Sequence, residues 1–135
     1  MKRAFFFAVL ASMALSGAAF AQQANALGSV TINRKVLADG KPLSAGSYQV
    51  RLTMEDARPT AVGQAPEQWV EFVRGGKVIG REVATIIPDN EIGQIAKGAK
   101  PAKNGSRVEL LKGNDYVRVW INRGGNNYLI HMPPA

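Results

Sequence analysis

The chain has 135 residues, 46% of them hydrophobic, with 17 basic side chains against 10 acidic ones, a formal net charge of +7 and no cysteine. Its length suits a single domain. The lack of thiols excludes a disulfide framework, a thiolate zinc site and a lipid-modified cysteine, while the charge fits either plain solubility or an anionic partner.

The first 21 residues, MKRAFFFAVLASMALSGAAFA, are read as a leader and not as fold. Lys2 and Arg3 precede an apolar run from Ala4 to Ala14, and small residues lead to Ala19-Phe20-Ala21. This order of basic, apolar and small residues describes a secretory signal peptide, with cleavage expected after Ala21. A membrane anchor is the competing reading. The run is shorter than the about 20 apolar residues a span needs, and Ser12, Ser16 and Gly17 interrupt it. The expected product is one domain, Gln22 to Ala135, periplasmic or secreted, with no membrane span.

Strand signals fill the rest. SVTINRKVL (29–37) puts Val30, Ile32 and Val36 on one side, with Arg34 breaking the row and suggesting a bulge. Asp39-Gly40 is a hairpin-type turn. Pro42 presets φ and withholds a backbone donor, so the segment between the turns is no regular central strand. SYQVRLTM (47–54) alternates cleanly, which predicts Tyr48, Val50, Leu52 and Met54 on a buried face. In EQWVEFVRGGKVIGREVATIIP (67–88), Gly75-Gly76 joins two strands. Trp69 and Val73 oppose Val70 and Phe72 there, as in a strand covered on both sides, and Pro88 ends the second strand.

The segment 106–132 predicts three more strands, turning at Gly113-Asn114-Asp115 and Gly124-Gly125. Val117, Val119 and Ile121 share one face; Tyr116, Arg118, Trp120 and Asn122 share the other. Pro133 and Pro134 are expected to stop further pairing. The intervening stretches 55–67 and 89–106 read as long loops. In the second, Ile92, Ile95 and Ala96 have helical spacing, but Gly93 and Gly98 argue against a helix; a short strand at Gln94 to Lys97 is the alternative. The total is about seven strands, an all-β, single antiparallel β-sandwich of immunoglobulin-like or transthyretin-like type.

LSAGSYQVRL (43–52) resembles the "leucine, small residue, Ala/Pro, Gly, x, Tyr, x, Val" element of small exported bacterial β-sandwiches. Carboxypeptidase regulatory-like, transthyretin-type domains carry a similar element. The resemblance covers ten residues. It implies a sandwich with a non-catalytic role, and it transfers no functional residue.

Chemistry-bearing motifs are few. His131 is the only histidine, and a general base needs an orienting partner and a nucleophile that the sequence does not place near it. Glu55, Asp56, Asp89 and Glu91 lie where turn and solubility acids are ordinary. DNEIG begins like a calcium loop but lacks the later ligands. No cofactor is implied.

Two binding constellations stand out. Lys97, Lys100, Lys103 and Arg107, with Lys112 beyond, form a basic cluster, for which a solvated loop is the plainer reading. Tyr116, Arg118 and Trp120, widened by Trp69, form an aromatic and arginine row. It would suit a ligand if outward and would be core if the sheet is covered on both sides. The leading expectation is a non-enzymatic binding or structural module of the bacterial cell envelope, with a protein or polysaccharide as partner. Export and the absence of interleaved aromatics disfavour nucleic acid. The alternatives are a carbohydrate-active or other hydrolase using loop carboxylates, and an assembly subunit pairing through sheet edges.

Overall fold

The computed structural model describes residues 25–57, 65–96, 98, 100–111, 113 and 115–135. The leader and its cleavage site lie outside the described residues. In chain order the elements are β1 (Ala26–Ile32), β2 (Val36–Ala38), β3 (Lys41–Leu43), β4 (Gly46–Asp56), β5 (Glu67–Arg74), β6 (Lys77–Pro88), a single helical turn α1 (Ile92–Ile95), β7 (Ser106–Leu111), β8 (Tyr116–Arg123) and β9 (Asn126–Met132). Among the described residues no helix is long and apolar enough to cross a membrane.

Seven strands form one antiparallel sheet in the order β1-β4-β5-β6-β9-β8-β7, and β2 and β3 form a separate ribbon. The expected division into two facing sheets is not present in the hydrogen bonding. One continuous sheet curls until it is nearly barrel-shaped. The strand twist imposed by L-residues drives such curling, and a curled sheet can bury one face against itself. Six consecutive antiparallel pairings leave the two edge strands running parallel to one another. At this seam the Ser106 hydroxyl of β7 donates to the Ser29 carbonyl of β1 at 2.9 Å.

The interior follows the alternation. Val30, Ile32, Tyr48, Val50, Val70, Phe72, Val117, Val119, Ile121, Ile130 and Met132 are buried together. The ribbon adds Val36, Ala38 and Leu43 to the same core. Its turn has positive φ at both Asp39 (52°) and Gly40 (73°), the geometry that suits a tight hairpin. The Asp39 amide donates to Glu82 at 3.0 Å and ties the turn to β6. Gly80 permits this docking: a Cβ there would lie 3.1 Å from Leu43 Cδ1.

Three expectations change. Met54 is 66% exposed. Its φ of 67° is left-handed, and the β4–β5 register shifts between Leu52 and Asp56. A bulge of this kind re-aims the side chain and ends the alternation after Leu52. The Thr53 hydroxyl holds it, donating to the Trp69 carbonyl at 2.7 Å and accepting from the Glu55 amide at 3.1 Å. Second, Ile92–Ile95 is a helical turn and not a strand. Third, the terminal prolines still bridge: Pro133 lacks a donor, but its carbonyl accepts from the Leu37 amide at 2.9 Å, and Val36 pairs with Pro134.

A left-handed, exposed position favours glycine. Met54→Gly is expected to leave unfolding free energy unchanged or raise it by up to about 1 kcal/mol in urea titrations. Val50→Ala, in the closed interior, should lower it by about 2 kcal/mol or more.

Candidate functional site

The outer face of β8 and β9 is covered as well. Trp120, Leu129 and Ile87 form a second apolar cluster with Ile92 and Ala96, against which Ala65 packs. Ile92 and Ala96 are four residues apart, so one helical turn presents both to the sheet, and the Ala96 amide closes that turn on the Ile92 carbonyl at 2.9 Å. Ile95, on the other side, is 56% exposed. Trp120 is fully buried. The aromatic and arginine row is therefore core at its centre, and Trp120 offers no surface to a ligand.

Beneath the covering segment lies a polar hub. The Asn127 Oδ1 accepts from Trp120 Nε1 at 2.9 Å and from Asn122 Nδ2 at 3.2 Å. Its amide donates to the Ile87 carbonyl at 3.2 Å and to Asp89 Oδ1 at 2.8 Å. Asn122 Nδ2 also donates to Asp89 Oδ1, at 2.7 Å, and Asn122 Oδ1 accepts from the Asn104 amide at 3.0 Å. The Asn104 side chain accepts from the Gly124 amide at 3.1 Å. Backbone bonds from Asp89 to Gly125 and from Asn122 to Gly105 complete the clamp. Both ends of the 89–105 segment are thus pinned to the β8–β9 hairpin.

Arg118 is also largely buried. Its Nε donates to Glu109 Oε1 at 2.7 Å, and its Nη2 contacts the same oxygen. The guanidinium carbon sits 5.2 Å from the centre of the Trp120 ring. Glu109 also meets Arg107 at 3.7 Å. His131 pairs with Arg118 across β8 and β9 and keeps contact with solvent. Partial burial, then the Arg118 guanidinium, holds its imidazole below the usual histidine range, with Glu109 pulling the other way.

The second tryptophan stands apart. Trp69 lies on β5, separated from β8 by β6 and β9, roughly 14 Å away at the usual strand spacing. Arg81 stacks over it at 4.1 Å and is tied to Asp39 at 3.3 Å. The two indoles do not form one patch. Tyr116 is half-buried at the start of β8.

Of the basic cluster, Lys100, Lys103 and Arg107 are exposed. Lys97 and Lys112 lie outside the described residues. The acids serve the fold: Glu71 pairs with Arg51 at 2.6 Å, Asp39 with Arg81, Glu109 with two arginines and Asp89 with two asparagines. Among the described residues no three His, Cys, Asp or Glu side chains gather to hold a metal ion. Sequence reasoning missed the hub, although a signal exists. A two-residue Gly124-Gly125 turn sets Asn122 opposite Asn127, and paired carboxamides on one face of a hairpin can saturate each other. No family model, curated protein or solved structure matches the chain.

Asn127→Ala removes one partner from four bonds in a buried network. It should lower unfolding free energy by about 2–4 kcal/mol in urea and shift Trp120 emission to the red as the cover loosens. Asn127→Asp, which keeps the acceptors and loses the amide donors, should also destabilise. For His131 the folded pKa lies below the unfolded one, so acid favours the unfolded chain. Stability should be intact above about pH 6.5 and fall as the solution is acidified through that range. Thermal melts of His131→Gln should lose this part of the pH slope.

Proposed function

We propose that this chain is an exported, non-catalytic binding module of the bacterial cell envelope. On this reading residues 1–21 are removed in export, and the mature domain shares with the exported bacterial proteins that LSAGSYQVRL resembles a non-catalytic role rather than their two-sheet sandwich. The ligand is an acidic polysaccharide or an acidic protein surface. It is met by Lys100 and Lys103 on the covering segment and Arg107 on β7.

The observation that carries this reading is the clamped segment. A loop of surface lysines alone would be an ordinary solvated stretch. Here the polar hub fixes both ends of the segment against a buried cluster while Lys100 and Lys103 stay exposed. A rigid support lowers the ordering cost of holding cations toward a partner. The neighbouring Arg118 is neutralised inside by Glu109, so the outward charge rests on the lysines and Arg107. The hydrolase alternative would require two acids converging in one cleft. The acids described above instead sit with separate arginine and asparagine partners, Glu71 on β5, Glu109 on β7, and Asp39 and Asp89 in turns.

A Lys100→Gln/Lys103→Gln/Arg107→Gln variant should keep its thermal midpoint and lose retention on an alginate column. Retention of the parent chain should fall as salt rises. Equal retention of the variant and the parent would sink the assignment of this surface.

A further inference from the structure

The tip of the β5–β6 hairpin carries a patch that neither the hub nor the basic segment uses. Val78 and Ile79 are 49% and 42% exposed. They are neighbours in sequence, so a regular strand would turn one of them inward. Here the register shifts: Phe72 pairs with Gly80 and Val73 with Val78, leaving Ile79 as the extra residue of a bulge. The bulge leaves both aliphatics in solvent beside exposed Pro42 of the ribbon, and together with Lys41 they line one shallow depression of about 160 Å³. That is well below the volume of an ordinary small-molecule pocket.

Cations surround the patch. Lys41, Arg74 and Lys77 are exposed. Arg74 is held in place, 4.7 Å above the Tyr48 ring and 3.3 Å from the Ser44 hydroxyl. Neither 40–53 nor 73–80 contains an aspartate or glutamate. Three acids lie nearby: Asp39, which lines the same depression, is paired with Arg81; Glu71 is paired with Arg51; and Glu82 accepts from the Asp39 and Val83 amides. The hairpin end is therefore cationic at its Arg74-Gly75-Gly76-Lys77 turn and apolar directly behind it, at Val78 and Ile79.

We propose that this hairpin tip is a contact site for an anionic lipid bilayer. Val78 and Ile79 enter the headgroup boundary while Lys41, Arg74 and Lys77 meet lipid phosphates. A turn flanked by exposed cations, with two exposed aliphatics beside it, matches the chemistry of a flat anionic interface. A peptide partner would need a groove, and the depression is too small to be one.

The test is co-sedimentation of the chain from Gln22 to Ala135, free of the basic apolar leader, with vesicles of phosphatidylcholine alone and of equal parts phosphatidylcholine and phosphatidylglycerol. The parent chain should sediment with the anionic vesicles and not with the neutral ones. Val78→Ser/Ile79→Ser should weaken this about tenfold or more, and Lys41→Gln/Lys77→Gln about fivefold per charge removed. Lys100→Gln/Lys103→Gln should sediment like the parent, which separates this site from the surface proposed for polysaccharide. Melting curves will show whether the variants are folded; should the aliphatic pair unfold, the exposed lysine pair carries the test alone. Any of three results overturns the proposal: no sedimentation of the parent, equal sedimentation of the tip variants, or loss caused by the Lys100 and Lys103 changes instead. Binding of poly-glutamate in place of the vesicles would assign the tip to an acidic polypeptide and overturn it equally.

Discussion

The carboxamide of Asn127 is the point on which the outer half of this molecule depends. It donates both amide hydrogens to Ile87 and Asp89, distant in the chain, and accepts two bonds on its oxygen from Trp120 and Asn122 of the neighbouring strand. Buried polar groups are costly when unpaired and rigidifying when saturated. Because Asn127 can be satisfied only when Trp120, Asn122, Asp89 and Ile87 are all in place, the hub selects one seating of the covering segment. The apolar contacts of Ile92 and Ala96 add area, but they are few and would not by themselves define that seating.

A second constraint is parity. Seven strands joined by antiparallel pairs bring two parallel edges together, and the seam between them is bridged by a side-chain hydroxyl. The β2–β3 ribbon and the terminal prolines complete the core from another side, with Glu82 and the Pro133 carbonyl as their polar ties. A domain without disulfides is held here by apolar burial in one curled sheet, supplemented by specific polar fastenings where short elements dock.

The same economy shapes the surface. Arginines and acids pair within the sheet faces, as in Arg51–Glu71, Arg81–Asp39 and Arg118–Glu109. Much of the outward charge is then left to lysines in two places: the clamped segment over β8 and the tip beside the ribbon. The first sets its lysines on a segment pinned at both ends, on which Ile95 is also exposed. The second is mixed with exposed aliphatics. These are different chemistries, and the two proposed partners, an acidic polymer and an anionic interface, differ accordingly.

Much was legible from the residues alone. Period-two alternation placed Val117, Val119 and Ile121 inward, and Gly-rich pairs marked the tight turns, because strand geometry and positive φ are local properties of the chain. Met54 escaped that logic, since its bulge is fixed by hydrogen bonds from Thr53 to strand β5 and to the Glu55 amide. So did the fate of Trp120, for which alternation names a face but not what lies over it. Sequence by itself determined most of the strand segments and, away from the bulges at Met54 and Ile79, which side their side chains take. Only the tertiary structure decided that the strands make one curled sheet, and that a segment folds back over the outer face to bury the indole. Those outcomes depend on contacts between residues tens of positions apart, which no local pattern encodes.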